Sequence, residues 1–146
     1  MRALMLAALL LFVSSLAAAA TPAQTVDAFH AALRDRQPDR AVALLAPEAL
    51  IYEQGFAELS RADWMRNQLG PAVAFAADTQ RKLLRRESRQ LGDVAWVVSS
   101  TQTTVALAQD PPLRLNGAET AILRRDGDRW VIVHLHWSAH EEAAGP

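Results

Sequence analysis

Three of the four histidines fall in the closing run Trp130-Val131-Ile132-Val133-His134-Leu135-His136-Trp137-Ser138-Ala139-His140. On a strand, His134 and His136 share a face, close enough to chelate a metal with Glu53 or His140 as third ligand. The same face would also carry Trp130, Ile132 and Ser138, while Val131, Val133, Leu135 and Trp137 form an apolar opposite face. Two other placements compete with the metal. The histidines could stand as polar groups inside an apolar pocket, where His136 could act as a general base. They could instead lie at a dimer sheet or in solvent, with the apolar face packed on helices.

Glu53 is the second candidate base, because a carboxylate in an apolar cleft has a raised pKa. A hydrogen bond to an arginine or a helix terminus would make it structural instead. Tyr52, the only tyrosine, lies on the opposite strand face and could donate a hydrogen bond to a ligand or sit in the core. Trp64, Trp96 and His134 are candidate ligand-binding residues. His30, interrupting an apolar helix stripe, suits a core or cavity edge, and Glu119 could reach a partner across a sheet.

Other chemistries are excluded. With no cysteine there is no disulfide, metal-thiolate site or lipid-modified cysteine. No glycine-rich phosphate loop or nucleophile elbow occurs. Gly127, His134-x-His136 and Glu141 approach a cupin metal motif, but the glycine spacing is off by one and no second half follows. Fifteen basic residues against 16 acidic ones provide no excess for phosphates, so nucleic acid is not an expected partner. The cluster Arg81-Lys82-Leu83-Leu84-Arg85-Arg86 reads, by alternation, as a solvated strand face.

Residues 1–20 carry Arg2, an apolar run and Ala18-Ala19-Ala20, the pattern of a cleaved signal peptide. Export to a periplasm or the exterior follows, with no membrane partner after cleavage. The remaining 126 residues suffice for one domain stabilised by its core alone.

The elements that must position these residues can be read in order. Thr21-Pro22-Ala23-Gln24 starts a helix whose face is Val26, Phe29, His30 and Leu33. Asp39 can cap a second, short helix. Residues 49–55 form a strand, and Ser60 caps a third helix, broken or kinked at Gly70-Pro71. Strands follow over 79–89, 94–107, 113–125 and 130–138, the third and fourth of them joined by an Asp126-Gly127 hairpin turn. Helices followed by a meander give α+β, with the helices on one side of an antiparallel sheet.

This order resembles the nuclear transport factor 2-like superfamily and, within it, the SnoaL-like group. The resemblance rests on Tyr52-Glu53-Gln54-Gly55 with Glu58 and Ser60-Arg61, on Gly92-Asp93-Val94-Ala95-Trp96, and on the ending 130–138. It implies a cone-shaped curved sheet, or cystatin-like roll, around three N-terminal helices, with a pocket between them. Such proteins include isomerases, dehydratases, epoxide hydrolases and cyclases, and also binding or dimerising modules. Relatives often carry His-Leu-x-x-Asp-x-x-Phe in the third helix; here Gln68 and Ala72 occupy the histidine and aspartate positions.

The resulting expectation is a single SnoaL-like domain over 21–140 with a disordered tail over 141–146. It would bind a small, largely apolar molecule, without a cofactor or resident metal, as a homodimer. An isomerase, dehydratase or hydrolase using Glu53 or His136 as base is the alternative, and a homodimerisation module the third reading.

Overall fold

The computed structural model describes residues 19–106 and 112–142. The expected leader, apart from its last two residues, lies outside them, as do Asp110-Pro111 and residues 143–146.

Helix α1 (Pro22–Arg34) begins as expected. Thr21 Oγ1 accepts from the Gln24 backbone N–H at 3.2 Å, and Gln24 Oε1 accepts from the Thr21 N–H at 2.8 Å. This reciprocal cap satisfies two N–H groups that the helix leaves open. Helix α2 (Pro38–Val42) starts on Pro38 itself, with Gln37 rather than Asp39 preceding it. Strand β1 (Leu45–Glu53) turns through Gln54 and Gly55, both at positive φ, into the short β2 (Phe56–Glu58), a hairpin the sequence did not announce.

Helix α3 (Arg61–Asn67) is capped by Ser60, whose Oγ accepts from the Asp63 N–H at 3.0 Å. The break comes at Gln68, and α4 (Leu69–Asp78) takes Gly70 and Pro71 into its first turn. Proline is tolerated there because its missing N–H would have no helical partner. Among the described residues, four helices thus stand where three were expected.

Strands β3 (Thr79–Leu91), β4 (Val94–Val105), β5 (Leu113–Asp126) and β6 (Arg129–Glu141) complete a curved, unclosed six-stranded sheet of order β2-β1-β6-β5-β4-β3. The class is α+β. All pairings are antiparallel except β1 with β6, which run parallel. Strand β6 extends to Glu141, and His140 pairs with Asn116, so His140 is part of the sheet rather than of a tail. Among the described residues, no helix is long and apolar enough to cross a membrane.

Two bulges decide which side chains face the helices. In the β5–β6 pair, Leu123 opposes Ile132 but Ile122 opposes His134, which leaves Val133 as the extra residue. An extra residue reverses the in/out alternation beyond it. Trp130 and Ile132 therefore face the core before the bulge, and Leu135 joins the same core after it. His134 and His136 are turned to the outer face, so the continuous histidine–tryptophan face expected from simple alternation does not exist. A second register shift, between Leu83 and Arg85, does the same in β3. It sets Arg81 opposite Thr103 and Arg86 opposite Ser99, both inward positions of β4.

The core joins Val26, Phe29 and Leu33 of α1 to Leu45, Ile51, Trp64, Val97, Leu123 and Ile132. Along β4 the inward residues change from Ala95 and Val97 to Ser99, Thr101 and Thr103; along β5 they change from Leu123 and Ala121 to Glu119. The apolar core thus gives way, toward one end of the cone, to a polar wall.

Candidate functional site

A cavity of about 410 Å³ opens at that end. Its volume is within the range of small-molecule sites. Phe29, Leu33, Ile51, Trp64, Phe75 and Trp137 supply its apolar lining. Trp64 is 2% exposed and packs its ring 5.8 Å from that of Phe29, so it is both core and cavity wall. Phe75 lies 6.1 Å from Trp137 and closes another side.

Two groups of polar side chains face this space. Glu53 enters alone from the end of β1, where it is paired with Trp137 of β6. Burial pushes its carboxyl above the ordinary carboxylate value. Neither an arginine nor a helix terminus holds it among the described residues, so the ion-paired reading of Glu53 is not what the structure has.

The other group spans α1, β3 and β5. His30 Nε2 lies 2.6 Å from Glu119 Oε2, and Arg81 Nη2 lies 3.4 Å from Glu119 Oε1. Glu119 is almost fully buried, and burial alone would raise its pKa. The charge and hydrogen bond of His30, with the charges of Arg81 and Arg86, outweigh this and hold it below the ordinary value. Arg86 donates to Asp27 Oδ1 at 2.6 Å and to Ser99 Oγ at 3.2 Å. The arginine cluster is therefore a solvated face only in part: Arg81 and Arg86 point inward across the β3 bulge, while Lys82 and Arg85 stay exposed.

The remaining candidate residues lie elsewhere. Tyr52 pairs with His136 and Leu50 with His134 along the β1–β6 register, all on the outer face. The Tyr52 ring stands edge-on to those of His134 and His136, 5.5 and 6.4 Å away. Tyr52 borders the cavity, while its ring packs edge-on to the two imidazoles. His134 Nδ1 is 3.1 Å from the Leu50 carbonyl oxygen. His136 is exposed and does not converge with Glu53, so the pair does not form one acid–base site, nor one metal site. Among the described residues, no three potential metal-ligating side chains come together.

Trp96 is 40% exposed on the outer face and does not line the cavity. There it belongs to a row of register partners, Leu50, His134, Ile122 and Trp96, beside a second row, Tyr52, His136, Thr120 and Val98. Of the six expected site residues, Glu53 and Trp64 present side chains to the cavity, while Tyr52, Trp96, His134 and His136 share the far side of the sheet. Arg81, Trp137 and Phe75 were missed. A buried charge among the small residues Gly117-Ala118-Glu119-Thr120-Ala121 was the one signal for Glu119's role.

The family model for the SnoaL-like domain matches residues 23–141. Among solved structures, the fold is similar to that of a candidate ketosteroid isomerase from Shewanella frigidimarina NCIMB 400. The TM-score is 0.70 at 26% identity, over 78% of this chain and 91% of that one. A candidate calcium/calmodulin-dependent protein kinase II association domain from Xanthomonas campestris gives 0.69 at 20% identity, over 83% and 86%. A candidate scytalone dehydratase from Novosphingobium aromaticivorans DSM 12444 gives 0.68 at 13%, over 84% and 86%. No protein of curated function matches the sequence.

Proposed function

The chain belongs to the SnoaL-like domain family, and on that premise we propose that it is an exported domain that binds a small, mostly apolar molecule in its cone. The observation that carries this reading is the cavity of about 410 Å³, walled by aromatic and aliphatic side chains with two separated polar groups. An apolar wall supplies affinity, and a few fixed polar groups supply orientation. Export rests on residues 1–20, read as a cleaved leader. Native mass spectrometry of residues 21–146, purified without added metal, tests the proposal. A retained organic mass is the expected result. A persistently bare chain that also takes up no apolar probe would defeat it.

One observation favours a catalytic reading beside it. Glu53 is a half-buried carboxyl that faces the cavity, its pKa raised by burial, without an ion-pair partner among the described residues. A group poised in this way can accept a proton from a bound carbon or oxygen acid. His136 is set aside as the base, because it stands on the other side of the sheet. Proton exchange into solvent from a bound ketone, lost in Glu53→Gln, would support turnover; equal exchange in both proteins would remove it.

The outer face supports a homodimer. Leu50, Tyr52, Trp96 and Val98 are each well exposed on neighbouring positions of one sheet surface. Exposed apolar and aromatic side chains gathered on one sheet surface, here interleaved with His134, His136 and Thr120, are characteristic of a protein–protein contact. Sedimentation velocity distinguishes dimer from monomer directly.

A further inference from the structure

The polar wall of the cavity holds an arginine with less than its share of partners. Arg81 lines the cavity, and its Nε is buried without a hydrogen-bond partner. Its one ionic contact among the described residues, to Glu119 Oε1, is long at 3.4 Å, while the Glu119 carboxylate lies 2.6 Å from His30. A guanidinium offers a fork of parallel N–H donors that matches a carboxylate, and the Arg81 side chain keeps 24% of its surface accessible, so donors other than the buried Nε remain to meet an anion. Thr103, the register partner of Arg81 on β4, lines the same wall and adds a hydroxyl.

The surrounding charges leave room for an anion. Asp27 is held by Arg86 at 2.6 Å. Glu119 is held by His30, and the carboxylates of Asp27 and Glu119 are matched by the guanidinium groups of Arg81 and Arg86, so the wall carries no excess of negative charge. Across the cavity, burial raises the Glu53 pKa and so disfavours its ionised form. We infer that the ligand is an apolar, ring-bearing molecule with a terminal carboxylate that docks on Arg81 and Thr103. This rests on the cavity being a binding site, and adds the chemical class of its occupant.

Phenylbutyrate and the matching alcohol, phenylbutanol, separate the two ideas, with binding followed by tryptophan fluorescence because Trp64 and Trp137 line the cavity. The carboxylate is expected to bind at least about tenfold more tightly than the alcohol, the worth of one charge-assisted hydrogen bond. In Arg81→Gln this preference should fall to within about twofold while the alcohol still binds, as expected when only the anion's partner is lost. Arg81→Lys, which keeps the charge but not the fork, should recover part of it and serves if Arg81→Gln does not fold. Equal binding of both compounds to the wild type, or an unchanged preference in the arginine variants, overturns the carboxylate inference but leaves the cavity a binding site. Failure of both compounds to bind sinks the inference and the binding reading together.

Discussion

Glu119 Oε2 and His30 Nε2 lie 2.6 Å apart, although 89 residues separate them in the chain. The contact ties the middle of β5 to α1 in the cavity wall. It is buried on the glutamate side, and so it is sensitive to loss of either partner. Removing one member of a buried ionic pair typically destabilises by about 3–5 kcal/mol, since the other is left uncompensated. Chemical denaturation of Glu119→Ala should show a loss at the lower end of that range, with Arg81 destabilised as well. A double-mutant cycle with His30→Ala should return a coupling of at least about 1 kcal/mol. Additive losses would mean that the two side chains merely lie near each other.

The same carboxylate makes stability fall in acid. Its folded-state pKa lies below the ordinary value of 4.5, so the native state binds its proton less readily than the unfolded chain. The stabilisation is then fully present above that ordinary value and is lost as pH falls through the folded value. Urea midpoints measured from neutral pH downward should drop more steeply for the wild type than for Glu119→Gln. Parallel curves would show that Glu119 does not carry the acid sensitivity.

Glu53 acts in the opposite sense. Burial raises its pKa above 4.5, so the folded protein holds this proton where the unfolded chain has released it. Stability from this group is complete below the ordinary value and declines as pH rises through the folded one. Glu53→Gln should therefore be more stable than the wild type at neutral pH, with the advantage shrinking toward pH about 4 as both forms become neutral. A variant destabilised equally at both pH values would point to an undetected structural bond.

The fold was legible in the sequence where local chemistry dictates it. The Thr21–Gln24 capping box, the Ser60 cap and the Asp126-Gly127 turn each declare themselves through residues that satisfy their own backbone. The site was half legible for a specific reason. Strand alternation has a period of two, and a single extra residue inverts it without altering composition. Val133 does this between Ile132 and His134, and the shift near Leu84 does it between Leu83 and Arg86. The first removes His134 and His136 from the cavity; the second brings Arg81 and Arg86 in. Glu53 and Tyr52 could be assigned to opposite faces because no irregularity falls between them, though which face was inward needed the pairing of Glu53 with Trp137.

Gly117 lies at a close approach of β5 to Thr101 of β4 and Trp137 of β6. A Cβ added there would lie 2.6 Å from Thr101 Oγ1 and 3.3 Å from Trp137 Nε1. Gly117→Ala must push Thr101 or the strand aside, at about 1–3 kcal/mol for overpacking. Thr101 Oγ1 is itself buried without a partner, so Thr101→Ala removes both the obstacle and an unsatisfied oxygen. In thermal denaturation, the double variant Gly117→Ala/Thr101→Ala should recover most of the single-variant loss, a departure from additivity expected for touching residues. Simple addition of the two effects would place the strain somewhere other than this contact.

The outer face yields a prediction that separates assembly from ligand binding. Trp96, Ile122, His134 and Leu50 are consecutive register partners across four strands, so a single charge in the row disturbs the whole apolar surface. A buried tryptophan in a protein interface is commonly worth at least about 2 kcal/mol, or about thirtyfold in dissociation constant. Trp96→Glu should therefore move the protein to monomer in sedimentation at micromolar concentration. Because Trp96 does not line the cavity, the affinity for an apolar probe should stay within about twofold, the range of a substitution remote from the site. His136→Ala should likewise leave cavity affinity within that range, because its imidazole lies on the far side of the sheet. If Trp96→Glu sediments as the wild type does, the exposed row is not the interface. If His136→Ala instead abolishes probe binding, the two faces are coupled through β6, and the assignment of the site to the inner face alone fails.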